Sequence, residues 1–316
     1  MLKASFKKEV FQFKIPAGTS RGILKDRPTW FFKVWDSESP EVFGLGECAP
    51  LVKLSIDDRP DFEQKLQEVC DNIEFYSSIN RHDLLAFPAI RFGLEMAFND
   101  LKSGGHRQYF GTVNQPEIPI NGLIWMGDEA FMKSQIDQKL KEGWGCIKMK
   151  IGAIDFQKEL NLLSYIRERN SKIQLRVDAN GAFDESDVFQ KLEALAKYDL
   201  HSIEQPIKAH QWEFMNEICE KSPIPIGLDE ELINVYGSKK LELLDSIQPQ
   251  YLVMKPTLLG GFDLTNEWID LAEEKNIKWW ITSSLEAGEG LLALKQYVGE
   301  KRLSEFQGLG TGTLFV

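Results

Sequence analysis

The chain has 316 residues, 43% hydrophobic and 27% charged, which is the balance of an ordinary globular protein and enough for a barrel plus a smaller domain. A formal net charge of −11 argues against a nucleic-acid-binding protein, which would carry a basic surface. No apolar run approaches the ~18 residues of a membrane span, and the N-terminus lacks a signal-peptide core, so we expect a soluble cytoplasmic protein.

The first 55 residues alternate apolar and polar side chains in three stretches, a pattern typical of strands in an antiparallel sheet. The segment PAGTSRGILKDRP, which is basic and rich in turn residues, is expected to be a loop between the first two strands. One helix is expected over 57–75. A second helix, with a clearer helical pattern, is expected after Pro88 and ends at Gly104 and Gly105. These elements predict an α+β domain over residues 1–115.

From residue 117 short apolar strands alternate with helical stretches, which indicates βαβ units and a parallel sheet. Eight strand-like segments at a repeat of about 25 residues favour a TIM-type (β/α) barrel over residues 116–316. An open doubly wound sheet is the alternative, but it would carry a glycine-rich turn near its start. The late motif GLGTG is followed by only four residues, too few for a helix, so we do not expect it to be a dinucleotide- or phosphate-binding loop.

Active sites of such barrels form at the C-terminal ends of the strands, so the polar residues at those ends are the candidates. In chain order they are Lys148 and Lys150, Arg176, Asp178 and Asn180, Glu204, Asp229 or Glu230, Lys255, then Ser283, Ser284 and Glu286, and finally Gly308, Gly310 and Gly312.

Three of these acids, Asp178, Glu204 and Asp229, each end an apolar strand, one βα repeat apart. A single such acid is usually an ordinary strand-end or helix-cap residue, but three on adjacent strands are expected to converge and to repel one another. A divalent cation relieves that repulsion. Oxygen ligands without His or Cys select a hard ion, Mg²⁺ before Mn²⁺ or Ca²⁺.

Lys150 and Lys255 also end apolar strands, and those strands are four apart around the predicted barrel. The two ammonium groups are therefore expected to face each other across the mouth, as an acid/base pair on either side of a substrate. Lys148 lies two residues before Lys150 and on the same strand face. Its charge is expected to make Lys150 easier to deprotonate and so usable as a general base.

These residues, in this order, resemble the muconate-lactonising-enzyme subgroup of the enolase superfamily, in which Lys-x-Lys is followed by three metal-binding acids and a lysine across the barrel. Further motifs resemble the o-succinylbenzoate synthase family within that subgroup, and none of the Asp-x-Asp motifs typical of dipeptide epimerases occurs after Lys255. The motifs are TSRGIL, GLGECAPL, PAIRFGLEMAF, RVDANGAF, SIEQPI, KPTLLGG and GLGTG.

The resemblance implies a barrel with an N-terminal capping domain and a Mg²⁺-dependent lyase of menaquinone biosynthesis. The substrate would be 2-succinyl-6-hydroxy-2,4-cyclohexadiene-1-carboxylate, which is dehydrated to o-succinylbenzoate. Lys150 is expected to act as base and then as acid, while Lys255 stabilises the intermediate by its charge. Asp178, Glu204 and Asp229 are expected to bind the metal, with Glu230 on the opposite strand face or behind the ligands.

The resemblance also implies a substrate pocket and leaves one alternative reaction open. Arg176 and Asn180 are expected to orient carboxylates, and the loop at 21–23 to close the mouth. The succinyl end would be held by Ser283, Ser284, Gly310 and Gly312. An N-acylamino-acid racemase or dipeptide epimerase of the same subgroup would use the same two lysines as opposed bases. In each case the partner is a small carboxylate, and the oligomeric state stays open.

Overall fold

The computed structural model describes residues 1–19, 22–77, 83–111, 117–301, 303–312 and 314–316. An antiparallel sheet of three strands, in the order β1-β2-β3, begins the chain. Its strands are β1 (Leu2–Thr19), β2 (Gly22–Asp36) and β3 (Phe43–Cys48). The expected antiparallel N-terminal sheet is therefore confirmed.

The hairpin of β1 and β2 extends beyond its predicted end. Pairing runs without a break to Gln12↔Asp26, shifts register, and resumes from Ala17↔Leu24 to Thr19↔Gly22. The expected loop is therefore wrong for its described residues, which are mostly paired strand. Proline cannot donate to a strand ladder, and Pro16 falls within the register shift. Arg21, expected in the loop over the mouth, lies outside the described residues.

Three helices pack against this sheet. They are α1 (Phe62–Asp71), α2 (Ile73–Tyr76) and α3 (Pro88–Lys102). The helix expected from residue 57 begins later, because turns occupy the residues before Phe62. Helix α3 lies directly on β3, where a Cβ at Gly46 would stand 1.9 Å from the Gly93 carbonyl oxygen. Only glycine allows this approach, which sets α3 and the end of β3 against the barrel.

Seven parallel strands form the second sheet, in the order β10-β9-β8-β7-β6-β5-β4. They are β4 (Gly122–Ile124), β5 (Cys146–Lys150), β6 (Gln174–Asp178), β7 (Ser202–Glu204), β8 (Ile226–Leu228), β9 (Tyr251–Met254) and β10 (Lys278–Ile281). An eighth segment closes the ring, because Gln307 bridges in parallel to Ile120 and Gly308 bridges in parallel to Thr282. The predicted (β/α) barrel is confirmed.

Helices connect these strands, in the alternation that the sequence predicts. They are α4 (Glu129–Lys141), α5 (Phe156–Arg169), α6 (Val188–Ala196), α7 (Trp212–Lys221), α8 (Ser238–Ile247), α9 (Pro256–Leu259), α10 (Phe262–Glu274) and α11 (Glu289–Gly299). A 3₁₀ turn spans Glu230–Leu232. Among the described residues, no helix is both long enough and apolar enough to cross a lipid bilayer.

The largest hydrophobic cluster lies between the barrel strands and their helices, and a separate cluster joins β2 and β3 to α1–α3. The boundary expected at 115–116 falls outside the described residues. The C-terminal end returns to the first domain, where Lys14 N donates to Leu314 O at 2.8 Å and Phe13 bridges to Phe315. The N-terminal hairpin is thereby fixed against the barrel mouth.

Candidate active site

A cavity of about 310 Å³ lies where the N-terminal domain meets the C-terminal ends of the barrel strands. The N-terminal domain contributes residues 22–26 and 51–53 to its wall. From the barrel, the candidates that line it are Lys148, Lys150, Asp178, Asn180, Lys255, Ser283, Ser284, Gly308 and Gly310. Most of the residues predicted from the strand ends are therefore brought to one place.

Strand register sets three of the charged residues side by side. Lys150 on β5 pairs with Asp178 on β6, and Asp178 pairs with Glu204 on β7. Asp229 and Lys255 directly follow β8 and β9. Because these positions end neighbouring parallel strands, their side chains share one end of the barrel.

Lys148 is bound by two carboxylates. Its Nζ lies 2.9 Å from Asp178 Oδ2 and 2.5 Å from Glu204 Oε2, and all three side chains are almost fully buried. Burial pulls the pKa of Lys148 down, but the charges of Asp178 and Glu204 outweigh burial and raise it above its usual value. Lys148 is therefore held in a buried cluster with two acids, and its expected effect on Lys150 stays a prediction.

Lys150 is oriented by two oxygen acceptors. Its Nζ donates to Asn180 Oδ1 at 2.7 Å and lies 3.1 Å from Asp178 Oδ2. Asn180 adopts a left-handed backbone conformation, with φ of 45°, and its Nδ2 donates to Glu230 Oε1 at 3.0 Å. Glu230, next to Asp229 in the chain, thus contacts the residue that orients Lys150, and its place behind the metal ligands stays a prediction.

Lys255 lies across the cavity from Lys150, because β9 and β5 are four strands apart in a ring closed by an eighth segment. Its Nζ contacts Asp229 Oδ2. Burial is the largest single effect and lowers the pKa of Lys255, but the charges of Asp229, Glu230 and Glu204 together outweigh it, so the pKa is raised overall. The two lysines can therefore address opposite faces of one bound molecule.

The three acids were expected to converge on one ion. Within the described residues, no three acidic, histidine or cysteine side chains are close enough together to hold a metal as they stand. The ammonium groups of Lys148 and Lys255 instead contact the carboxylate oxygens that would bind a metal ion.

The donor set nevertheless fits a hard divalent cation. Glu204 Oε1 is buried and has no hydrogen-bond partner among the described residues, which is costly for a carboxylate oxygen. Burial, and then the neighbouring Asp178, raise the pKa of Glu204 well above its usual range. Closely spaced carboxylates with an unsatisfied oxygen are the environment that Mg²⁺ stabilises.

Arg176 is not at this end of the barrel, which corrects its expected role with carboxylate ligands. Its guanidinium lies 2.8 Å from Glu305 Oε2 and donates to Phe306 O at 2.8 Å, at the start of the closing segment. Its Cζ also lies 3.9 Å from the centre of the Trp280 ring. Arg176 and Asp178 face the same way on β6, but Arg176 is one layer deeper, toward the opposite end of the strand.

Ser283 and Ser284 line the cavity, but their hydroxyl groups are engaged. Ser283 Oγ donates to Glu286 Oε2 at 2.5 Å, and Ser284 Oγ donates to Glu286 Oε1 at 2.9 Å. Glu286 is therefore a structural acceptor and does not project into the cavity as a free acid. Gly310 lies in the wall as expected, whereas Gly312 is solvent-exposed and lies outside it.

Several wall residues escaped the sequence reasoning. Lys25 and Asp26 come from the segment that was expected to be a loop, Lys53 from the turn after β3, and Trp125 from the residue after β4. For Trp125 a signal existed, because it directly follows the first barrel strand, as Lys255 directly follows β9. For Lys25, Asp26 and Lys53 the contact depends on how two domains meet, which no local pattern encodes.

Comparison with known proteins agrees with this architecture. Residues 132–298 match the family described as Enolase C-terminal domain-like. The o-succinylbenzoate synthase of Desulfotalea psychrophila is 42% identical over 99% of this chain and 94% of its own length. The crystal structure of MenC from Desulfotalea psychrophila LSv54 superimposes with a TM-score of 0.86 at 38% identity, covering 99% of this chain and 95% of that one.

More distant relatives share the fold. The o-succinylbenzoate synthase of Thermosynechococcus elongatus BP-1, solved with Mg in its active site, has a TM-score of 0.77 at 21% identity over 97% of this chain and 92% of its own. An L-Ala-D/L-Glu epimerase of Francisella tularensis subsp. novicida is 28% identical over 75% of this chain and 64% of its own length. Given the family match and the 42% identity over nearly the whole length, the chain belongs to the enolase superfamily and, within it, to the o-succinylbenzoate synthase family.

Proposed function

We propose that this chain is a Mg²⁺-dependent lyase that dehydrates 2-succinyl-6-hydroxy-2,4-cyclohexadiene-1-carboxylate to o-succinylbenzoate. The observation that carries the proposal is the placement of Lys150 and Lys255 on opposite sides of one cavity, with Asp178 in its wall. The 42% identity to the Desulfotalea psychrophila synthase supports the choice of substrate.

Asp178, Glu204 and Asp229 are the residues that would hold Mg²⁺, and Mn²⁺ would fit the same oxygen ligands. When bound, the cation would supply positive charge that stabilises the negative charge developing on the substrate carboxylate. Lys148 and Lys255, which contact the same three acids, would share those oxygens with it. The unpartnered oxygen of Glu204 is the observation that favours this ligand set over a purely salt-bridged cluster.

The proton moves through Lys150. Its amine takes the proton α to the ring carboxylate, and Asn180 Oδ1 holds Nζ toward the cavity for that transfer. The same ammonium group then returns the proton to the departing β-hydroxyl, which leaves as water while the ring becomes aromatic. Lys255 stays charged across the cavity and stabilises the negative charge that develops on the substrate.

The capping domain excludes water from this reaction. Residues 22–26 and 51–53 cover the cavity from the side opposite the barrel strands. In a site shielded from water the charges of the two lysines act more strongly on the substrate. Covering of the mouth by the first domain is thus part of the proposed mechanism, although Arg21 lies outside the described residues.

The proposal is tested by following o-succinylbenzoate formation from the cyclohexadiene substrate, by its absorbance, with Mg²⁺, with a chelator, and with Mg²⁺ restored. We expect turnover with Mg²⁺, loss with the chelator, and recovery on adding the metal back. Absence of turnover with Mg²⁺, or turnover that the chelator leaves unchanged, would contradict the proposal.

Epimerisation is the second candidate, because the same pair of opposed lysines serves two-base chemistry and epimerases are among the relatives. A racemisation assay on N-succinyl amino acids and dipeptides, run beside the synthase assay, separates the two. Racemisation together with synthase turnover indicates one site with two activities, whereas racemisation alone would favour the second candidate.

A further inference from the structure

Glu47, at the end of β3, reaches out of the capping domain and into the barrel. Its side chain is fully buried and accepts hydrogen bonds from the backbone of Ala287 at 2.6 Å, Gly288 at 3.3 Å and Gly290 at 2.8 Å. These N–H groups lie at the N-terminal end of α11, where the helix dipole favours a negative charge. A carboxylate of one domain therefore caps a helix of the other.

Arg27, on β2, holds the same segment from its carbonyl side. The buried guanidinium donates to Leu285 O at 3.0 Å and to Ser284 O at 3.1 Å. It also donates to Ala49 O and Pro50 O, both at 2.5 Å. Arg27 thus ties the segment after β10 to residues 49 and 50 of the capping domain, which lead directly into residues 51–53 of the cavity wall.

The held segment is also fixed from within. Glu286 accepts from Ser283 Oγ and Ser284 Oγ, and from Thr257 Oγ1 at 2.6 Å. Within segment 283–290, backbone groups of residues 284, 285, 287, 288 and 290 form hydrogen bonds with the side chains of Glu47, Arg27 or Glu286. The position of this wall is consequently set by two charged side chains of another domain.

We propose that Glu47 and Arg27 are positioning residues that set the substrate affinity of this site by holding segment 283–290 against the cavity. The inference rests on the proposed function. Neither side chain lines the cavity itself, so both act through Ser283, Ser284 and Leu285. The reacting groups Lys150 and Lys255 stand on other strands. The effect of loosening the segment is therefore on binding of the substrate, and the chemical step is spared.

The test compares Glu47→Gln, Glu47→Asp and Arg27→Lys with wild type, and uses Glu63→Gln as a control in an exposed ion pair with Lys8. Burial raises the pKa of Glu47 to about 7, so the measurements are made at pH 8, where the carboxylate is ionised. Steady-state kinetics give KM and kcat. Hydrogen–deuterium exchange of peptides covering 283–290 reports how firmly Glu47 and Arg27 hold this segment, and it does not depend on an activity assay.

Loss of a hydrogen bond to a charged group predicts about a 10-fold rise in KM for Glu47→Gln, with kcat within about 2-fold of wild type. Exchange in 283–290 is expected to accelerate by about 10-fold, and Glu47→Asp, which keeps the charge, to recover part of both effects. Arg27→Lys is expected to raise KM in the same direction, because a single ammonium cannot bond four carbonyls. Glu63→Gln is expected to change neither quantity.

Three outcomes would overturn the proposal. Unchanged exchange in 283–290 would mean that Glu47 does not hold the segment. Faster exchange with unchanged KM would mean that the contact only stabilises the fold, as would a fall in kcat alone. If wild type does not turn over the cyclohexadiene, the proposed function fails. The exchange measurement still decides whether Glu47 and Arg27 hold segment 283–290. Arg27→Lys carries the same test if Glu47→Gln does not fold.

Discussion

The two sides of the cavity are built in different ways. On one side Lys150, Asp178 and Glu204 stand at the ends of adjacent strands, in a register fixed by the backbone ladder of the barrel. On the other, segment 283–290 leaves β10 and is held by side chains from the capping domain. Lys150, Asp178 and Glu204 are thus positioned by the barrel alone, whereas the wall that meets the rest of the substrate depends on contact between domains.

This difference separates chemistry from affinity. Backbone ladders are cooperative and tolerate little displacement, which suits groups that must meet a reacting atom. A loop held by two charged side chains can shift when those side chains change, without moving the strands. A barrel of this kind can therefore alter what it binds through its capping domain while its lysines and acids stay in place.

Replacement of Lys150 by alanine tests the barrel side directly and has the largest expected effect. Removing the proposed general base is expected to lower kcat by about 10²- to 10⁴-fold. Proton exchange at the substrate α-carbon should also disappear, while Mg²⁺ binding persists because the carboxylates remain. Stopped-time product assays, exchange in D₂O and metal titration measure the three quantities.

Lys158→Ala is the matched control, since Lys158 is an exposed lysine on α5 and should leave turnover intact. If Lys150→Ala raised KM but left kcat unchanged, the claim that the barrel side of the cavity carries the chemistry would be wrong.

Glu95→Gln tests Lys255, which follows a barrel strand but leads into a turn that the capping domain holds. Glu95 on α3 accepts from Phe262 N at 2.5 Å, at the start of α10, and pairs with Arg91 at 2.7 Å. A Cβ at Gly261, where φ is 105°, would lie 2.3 Å from Glu95 Oε2, so only glycine admits this carboxylate. The capping domain thus also holds the turn that follows Lys255 and α9.

Because that turn leads from a reacting group, Glu95→Gln is expected to lower kcat by about 10-fold and to leave KM within about 2-fold. This is the reverse of the result expected for Glu47→Gln. Asp270→Asn, on the exposed face of α10, is the control. A rise in KM with unchanged kcat would place Glu95 with the wall at 283–290 instead of with Lys255.

Local patterns were enough to predict the barrel and its strand ends. Each strand is a short apolar run closed by a polar residue, and the strand-end rule led to Lys150, Asp178, Asn180 and Lys255, all of which line the cavity. The same rule failed for Arg176. Side chains two residues apart share a face but not a depth, so Asp178, which ends β6, lies at the mouth and Arg176 lies one layer deeper.

Contacts between distant segments could not be predicted. Glu47 and Ala287 are 240 residues apart, and Arg27 and Leu285 are 258 apart, so no periodicity connects them. The ion pairs of Lys148 are a different case. The strand-end rule brings Asp178 and Glu204 to the same end of the barrel as Lys148, but it does not show that both carboxylates pair with this lysine.

Asp57→Asn has the smallest expected effect on turnover, because Asp57 supports the capping domain internally. The buried Asp57 accepts from Ala89 N at 2.8 Å at the start of α3, and burial raises its pKa to about 7 against the opposing effects of that amide and of Arg27. A raised pKa means that ionised Asp57 is disfavoured in the folded state. Its stabilising contribution is full below the ordinary pKa near 4 and is lost as pH rises through about 7.

The free energy of unfolding of wild type should therefore fall between about pH 4 and pH 7, by at most about 4 kcal/mol from this group. Asp57→Asn should flatten that fall, and it should leave kcat and KM within about 2-fold, because Asp57 lies outside both sides of the cavity. Urea unfolding at pH 5 and pH 8, with exposed Asp71→Asn as control, measures the slope. An unchanged slope would show that Asp57 does not titrate in this range, and a change in kcat would mean that the capping domain reaches the reacting groups by a route other than Glu95.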